Sequence, residues 1–340
     1  MAVDFSALEA VIRQDPKGRG VASFRHDGRG LAAGMLEGAA SELASHAGAV
    51  GIVTGFCIAD FDPPTAETDG PPGALYLARA LSELGVDVVL ITDRYAMPLL
   101  QLGCRLSRLN AEVFEIPLGH QEEAWLDEFF GSSIGKRLTH LVSIERVGPS
   151  HTPDSLAAQR RDGPAPLQRF LAEVPPEHRD VCHNMRGLAI DDFTAPAHRL
   201  FEAVQRGDRR VKTVGIGDGG NEIGMGAIPW ELLRASLEGD QAGRIICRVA
   251  VDFPILAGVS NWGAYALACG VASLRGQRDL LTAWNERRER DLIEALVREA
   301  GAIDGLTRRR EATVDGLDLE VYLDVLARIR AAAARTNAQA

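Results

Sequence analysis

Short apolar runs alternate along the chain with longer segments whose apolar positions recur every three or four residues. The short runs predict buried strands, because a strand covered on both faces does not alternate with polar residues. The longer segments predict amphipathic helices. In the segment 74–84, for example, Leu77, Leu81 and Leu84 share one side and Gly85 follows the last turn. This order predicts a three-layer α/β/α fold with a mostly parallel, doubly wound sheet.

The predicted elements cover most of the chain. Strands are predicted at residues 50–54, 86–92, 112–116, 140–144, 211–216 and 245–251. Helices are predicted at residues 4–15, 32–46, 74–84, 96–106, 122–130, 197–204, 230–237, 262–274, 277–299 and 318–334. We expect residues 1–30 to form an N-terminal helix with a connector, and residues 31–335 to form one α/β domain. The segment 146–190 contains six prolines and predicts a lid or an insertion.

Composition and charge narrow the range of partners. Hydrophobic residues make up 46% of the chain and charged residues 25%, which is typical of a globular protein with a sizeable core. The formal net charge of −10 disfavours both nucleic acid and an anionic membrane surface. The five cysteines form no C-x-x-C pair, and the N-terminus has no apolar run of the signal-peptide kind. We therefore expect a cytoplasmic protein with reduced thiols.

The loop 67–73, Glu-Thr-Asp-Gly-Pro-Pro-Gly, follows the first predicted strand. Prolines at a helix start leave backbone N–H groups free to bind an anion, and Glu67 and Asp69 add acid–base or cation-binding capacity. The alternative is a turn whose acidic residues interact only with the helix dipole.

A second loop, residues 215–226, packs six glycines around Asp218, Asn221 and Glu222. Glycines let a ligand approach the backbone, but the two carboxylates would repel a pyrophosphate. The loop therefore favours a divalent cation, magnesium or calcium, or a substrate ammonium group, and no organic cofactor is predicted. The alternative is a tight turn with solvated acids.

Two further loops carry groups suited to carboxylates. Ser260 or Asn261 can cap the following helix, and the N-terminus of that helix can also bind a substrate carboxylate. Arg146 can clamp a carboxylate or form a surface ion pair, and His183 is either a base or a structural side chain. Since each loop follows a strand of one parallel sheet, we expect the loops to meet in one cleft.

The acidic glycine loop is also similar to the magnesium-binding loop of haloacid-dehalogenase-like phosphatases. Those enzymes carry an Asp-x-Asp-x-Thr motif after the first strand. Here Asp60 and Asp62 fit this motif, but Thr65 comes one position late. A metal-dependent phosphatase-like enzyme and a non-catalytic module that binds amino acids or nucleotides therefore remain alternatives.

Five blocks occur in the order found in the C-terminal domain family of D-glutamate cyclase: ETDGPPGA at 67–74, SIERVG at 143–148, GIGDGGNEIGMG at 215–226, DFPILAGVSNWGAYALA at 252–268 and VDGL at 314–317. The chain resembles this family over about residues 45–330. The resemblance implies a lyase that converts D-glutamate to 5-oxo-D-proline and water. In the family, this domain is found joined to a hydro-lyase-like domain, so a separate hydro-lyase-like partner and self-association both stay open.

Cyclisation of glutamate requires a grip on carboxylate, removal of ammonium protons and protonation of the departing oxygen. We accordingly predict catalytic roles for Glu67, Asp69, Asp218 and Glu222. Substrate contacts are predicted for Arg146, Gly219, Gly220, Asn221, Ser260 and Asn261. Asp218 and Glu222 are also the predicted ligands of the magnesium or calcium ion.

Overall fold

The computed structural model describes residues 3–16, 18–119, 124–207 and 211–335. In this part of the chain twelve strands occur. In chain order they are β1 (Arg25–His26), β2 (Arg29–Gly30), β3 (Ala49–Thr54), β4 (Cys57–Ile58), β5 (Thr65–Ala66), β6 (Asp87–Thr92), β7 (Glu112–Glu115), β8 (His140–Ile144), β9 (Lys212–Gly217), β10 (Phe253–Leu256), β11 (Thr313–Val314) and β12 (Leu317–Asp318).

Six of these strands form one parallel sheet in the order β10-β9-β8-β3-β6-β7. The chain starts in the middle with β3, moves outward through β6 and β7, and then returns to build the other half from β8 to β10. The strand order therefore reverses between β3 and β8, and such a switch point opens a crevice at the carboxyl ends of the two strands. The predicted α/β class and parallel sheet are confirmed.

Fourteen α-helices flank this sheet within the described residues. They are α1 (Phe5–Ile12), α2 (Met35–His46), α3 (Pro71–Glu83), α4 (Met97–Ser107), α5 (Ala124–Gly131), α6 (Pro153–Ala158), α7 (Leu167–Glu173), α8 (His198–Arg206), α9 (Trp230–Ser236), α10 (Ala242–Ile245), α11 (Ser260–Leu274), α12 (Leu280–Ala283), α13 (Glu286–Ala300) and α14 (Leu319–Ala334). None of these helices is long and apolar enough to cross a lipid bilayer.

Successive side chains of the sheet strands pack alternately into two hydrophobic cores, one on each face of the sheet. In β6, Val88 and Leu90 pack into the core formed with α1, α2, α3, α4, α11, α13 and α14, whereas Val89 and Ile91 pack into the opposite core. Because side chains of a strand point alternately to its two faces, this arrangement explains the unbroken apolar runs. The helix α11 lies against α2, α3 and α14, and its N-terminus lies at the carboxyl edge of the sheet.

The N-terminal helix belongs to the same fold. Phe5, Leu8 and Ile12 of α1 are buried in the first core, and the Ile12 carbonyl accepts a hydrogen bond from the N–H of Gly258. The segment 146–190 contains α6 and α7, and its role as a lid stays a prediction. Residues 122 and 123 of the predicted helix 122–130 lie outside the described residues.

One predicted strand is wrong. Residues 246–251 are extended, but they bond to loops instead of the sheet: the N–H of Cys247 donates to Gly220, and the carbonyl of Val249 accepts from Gly224 and Gly226. The sheet strand begins further along, at Phe253. A long run of β-branched residues does not reveal which part pairs with the sheet. The predicted helix 277–299 is likewise divided into α12 and α13, where Asn285 caps the second helix.

Candidate active site

Buried carboxylates collect at the switch point of the sheet. Asp69 follows β3 on the way to α3, Glu145 follows β8 and Asp218 follows β9. Ligand oxygens of these three residues all lie within 4.8 Å of one another. We refer to these three residues as the acidic triad, and each of them is at most 6% exposed. The prediction that the loops of Asp69 and Asp218 converge is therefore confirmed.

Asp69 is held by the N-terminus of α11. Its carboxylate accepts hydrogen bonds from the backbone N–H groups of Ser260 and Asn261, each at 2.8 Å, and from that of Gly70 at 3.0 Å. The N-terminus does bind a carboxylate, as its partial positive charge favours, but the carboxylate is the protein's own.

Asn261 ties the same loop together. Its Oδ1 accepts from the N–H groups of Gly70 and Gly73, and its Nδ2 donates to the carbonyl of Thr68. The polar groups of Ser260 and Asn261 thus have partners inside the protein, and their predicted substrate contacts stay predictions.

Glu145 occupies an unusual backbone conformation directly after β8. Its φ is +45°, in the left-handed region that a residue with a side chain rarely adopts. Its Oε2 accepts a 2.6 Å hydrogen bond from the Ser260 hydroxyl. Strain of this kind persists only where the surroundings fix it, and here the turn directs the carboxylate toward Asp218.

The glycine loop is folded around Glu222. This carboxylate is fully buried and accepts from the backbone N–H groups of Asp218, Gly219 and Gly220. A Cβ at Gly217 would lie 2.6 Å from the Glu222 carboxylate, so the glycine makes room for it.

Glu222 therefore shapes the loop and is absent from the acidic triad, in contrast to its predicted metal-binding role. The N–H groups of Gly219 and Gly220 are used in the same way, and Asn221 donates to the His183 carbonyl. The bonds of these residues hold the loop in shape, which is a different use from the predicted substrate contact.

Arg146 also has a different use from the predicted carboxylate grip. It is 1% exposed, and its Nη1 donates to Asp93 at 2.6 Å and to the Gly55 carbonyl at 2.7 Å. Its Nη2 donates to the carbonyl of Ala195. A buried carboxylate and two carbonyls thus compensate the charge of this guanidinium, and Arg146 is not among the residues that line the cavity described below.

A different arginine, Arg19, contacts the buried carboxylates at the switch point. Arg19, from the connector after α1, forms ion pairs with Asp218 and with Asp315, the second at 2.7 Å. Asp315 lies in the turn between β11 and β12. No local pattern in the sequence points to Arg19, since the connector is rich in Gly and Arg without any motif. Glu145 and Asp315 lie in the family blocks SIERVG and VDGL, but they are not among the predicted site residues.

A cavity of about 350 Å³ opens onto this cluster and is lined by Glu67, Glu145, Asp218, Asp315 and Arg19, among others. Within the described residues the Glu67 carboxylate makes no hydrogen bond, and a Cβ at Gly305 would collide with it. Gly305 thus leaves space for the Glu67 carboxylate, which lines the cavity with its hydrogen-bonding capacity unused among the described residues.

The pKa values of the acidic groups at this site are raised. Burial raises the pKa of Asp69 to about 8, with a further contribution from Asp315. Burial raises the pKa of Glu67 and of Glu145 well above the usual range, and neighbouring carboxylates add to both. The pKa of Asp218 is also raised by burial, although Arg19 opposes the shift. Perturbed carboxylates in a cleft are typical of an active site.

The donor set suits a hard divalent cation. Asp69, Glu145 and Asp218 offer only oxygen ligands, as magnesium and calcium prefer. In addition, Oδ2 of Asp315 is buried without a hydrogen-bond partner among the described residues. An unpaired buried carboxylate oxygen is costly, so it favours a cation nearby.

The two other candidate residues lie outside this cluster. His183 is hydrogen-bonded to His178 at 3.3 Å, and burial lowers its pKa to about 4, which disfavours a base at neutral pH. Asp60 is paired with Arg308 and lies 3.8 Å from Arg186. An aspartate whose charge is neutralised in this way is a poor nucleophile. Asp60, the first residue of the phosphatase-like motif, therefore does not support the phosphatase-like alternative.

Comparison with known proteins identifies the family. Residues 8–163 and 173–330 match the family described as D-glutamate cyclase-like, C-terminal. A human protein named D-glutamate cyclase, mitochondrial, is 32% identical over 272 residues, which cover 78% of this chain. The chain spans 38% of the length of that relative. The family match includes every residue of the acidic cluster, and the chain belongs to the D-glutamate cyclase-like C-terminal family.

Proposed function

We propose that this protein is a carbon–oxygen lyase that converts D-glutamate to 5-oxo-D-proline and water. The observation that carries the proposal is the position of Glu67, a buried carboxylate without a hydrogen bond in the described chain, on the cavity that Glu145 and Asp218 of the acidic triad also line. Membership of the family and the name of the human relative supply the substrate.

The reaction moves two protons. The substrate nitrogen attacks its own γ-carboxyl carbon, so a C–N bond forms and a C–O bond breaks. The nitrogen loses two protons, and the departing oxygen gains two and leaves as water. Burial raises the pKa of the Glu67 carboxyl well above its usual range, so this group holds a proton more readily than an exposed glutamate. Such a group can take a proton at one atom and return it at the other, which is the role we assign to Glu67.

Asp69, Glu145 and Asp218 are the residues that would hold a magnesium or calcium ion. Such an ion polarises a carboxyl group and neutralises developing negative charge. Arg19 contributes positive charge beside Asp218 and limits the repulsion between the buried acids. The cavity also concentrates the two reacting ends of one molecule, which supplies much of the rate of a cyclisation.

The test is a chromatographic assay for 5-oxoproline with purified protein, D-glutamate and either magnesium or calcium. We expect product, and we expect Glu67→Gln to reduce turnover by roughly a hundredfold, the scale of general acid–base catalysis. Glu112→Gln is the matched control, because Glu112 is exposed on the edge strand β7. Absence of product together with absence of any D-glutamate-induced thermal shift would contradict the proposal. Binding without turnover would favour the non-catalytic module.

The sequence-based expectations of a cytoplasmic location, a separate hydro-lyase-like partner and self-association stay predictions. Adding a hydro-lyase-like protein to the same assay tests the second of them. An increase in turnover would assign part of the chemistry to that partner.

A further inference from the structure

The cavity has two electrically different ends. The acidic residues that line it are almost completely buried, at 6% exposure or less for Glu67, Glu145 and Asp218. Two arginines line the same cavity nearer to solvent: the side chain of Arg186 is 58% exposed and that of Arg308 is 21% exposed. The floor of the cavity is therefore acidic, whereas its outer part, the mouth, carries two guanidinium groups together with the carboxylates of Asp60 and Glu238.

The mouth arginines have more donors than partners. Both approach the single carboxylate of Asp60, Arg308 in direct contact and Arg186 at 3.8 Å. The Nε of Arg308 is buried without a hydrogen-bond partner among the described residues. A guanidinium group has five N–H donors, so one shared carboxylate leaves capacity for a second anion.

The chemistry of the proposed reaction identifies a matching anion, and this step rests on the proposed function. The amine and the γ-carboxyl group react with each other and must meet at the floor, beside Glu67. The α-carboxylate takes no part, and it is the charged group that substrate and product share. We propose that Arg308 and Arg186 bind this α-carboxylate at the mouth of the cavity.

This assignment has a kinetic signature. A contact made equally to substrate, transition state and product contributes uniform binding. Loss of the contact therefore raises the KM for D-glutamate and the Kd for 5-oxo-D-proline by similar factors. A catalytic group would instead act on kcat, and a residue with a purely structural role would not discriminate between ligands with and without a carboxylate.

The experiment measures binding of 5-oxo-D-proline by calorimetry, because the product binds without turnover. The comparison ligand is 2-pyrrolidinone, which has the same lactam ring without the carboxylate. We expect Arg308→Ala and Arg186→Ala to weaken product binding by about tenfold or more, the scale of hydrogen bonds to charged groups. Asp60→Asn removes the competing carboxylate, so it should strengthen product binding.

Arg309→Ala is the matched control, since the side chain of Arg309 is 70% exposed and does not line the cavity. Arg308→Lys keeps the positive charge, so it should recover part of the product affinity that Arg308→Ala loses. This variant separates an effect of the charge from an effect of a changed loop. Melting temperatures measured in parallel show whether each variant is folded.

The outcomes separate the two proposals. If the wild type binds the product and both arginine variants bind it equally well, the α-carboxylate assignment is wrong while the proposed function stands. If the wild type binds 2-pyrrolidinone as tightly as 5-oxo-D-proline, the assignment is again wrong. If the wild type binds neither D-glutamate nor the product, the proposed function itself fails.

Discussion

The guanidinium of Arg19 forms an ion pair with the carboxylate of Asp218 at the centre of the acidic cluster. Arg19 comes from the connector after α1, whereas Asp218 follows β9. A segment outside all sequence motifs thus supplies positive charge to the site. The same contact places Arg19 in competition with any cation that binds Asp218.

Arg19→Gln should lower the melting temperature in the absence of divalent cations, because Asp218 and Asp315 lose their ion-pair partner. Added magnesium or calcium should stabilise this variant more than the wild type, since the cation no longer competes with the arginine. Thermal denaturation with and without each ion measures both effects. Arg29→Gln, at an exposed position of β2, is the control. Equal responses of Arg19→Gln and the wild type would exclude the competition.

Asp218→Asn should reduce turnover by roughly a hundredfold or more if Asp218 holds a proton or a metal ion directly. The substitution removes the charge and preserves the volume, so it tests electrostatics rather than packing. Calorimetric titration with magnesium and calcium should show weaker binding than in the wild type. Full turnover together with unchanged cation binding would remove Asp218 from the site.

Asn261→Ala should destabilise the fold, because the N–H group of Gly73 loses its acceptor and that of Gly70 keeps only the Asp69 carboxylate. We expect the free energy of unfolding to fall by about 2 kcal/mol, the scale of a buried unsatisfied group. Urea denaturation measures the change, and Asn110→Ala at an exposed site is the control. An unchanged stability with a raised KM would instead restore the predicted contact between Asn261 and substrate.

Glu289 should make stability depend on pH. This carboxylate is fully buried behind α11 and accepts hydrogen bonds from Tyr265 and Trp284, each at 2.5 Å. Burial raises its pKa to about 7. A raised folded-state pKa gives a stabilising contribution that is complete below the unfolded pKa of about 4.3 and is lost as the pH rises through 7.

The effect of Glu289 is measured by urea denaturation between pH 4 and pH 8, compared with Glu289→Gln. The wild type should lose up to about 3 kcal/mol relative to the variant across this range, and the variant should lack this component. Glu294→Gln on the same helix, at a less buried position, is the control. Parallel pH profiles of wild type and Glu289→Gln would contradict the prediction.

The fold was largely predictable because its core is encoded locally. The runs at β3 and β8 are buried along their whole length, so apolar sequence and parallel pairing coincide. The extended run that ends in β10 was misplaced because the bonds of Cys247 and Val249 are made to distant loops. Hydrophobicity reports burial, and it does not report the hydrogen-bonding partner.

The site was predictable only in part for a related reason. Glu67, Asp69 and Asp218 lie in loops that follow predicted strands, and this position predicted them as site residues. The structure brings them to one cleft. The partners of a charged side chain depend on tertiary contacts, so the sequence could not show that Arg146 pairs with Asp93. For the same reason it could not show that Arg19 reaches Asp218.

The left-handed turn at Glu145 bears on how this protein responds to selection. Glycine would adopt that φ without a steric penalty, so replacing Glu145 by glycine relaxes the backbone while it removes a carboxylate from the triad. A library of variants enriched only for heat resistance should therefore drift away from glutamate at this position. A library enriched for activity should keep it, and the divergence between the two would record how much stability the protein gives up for its chemistry.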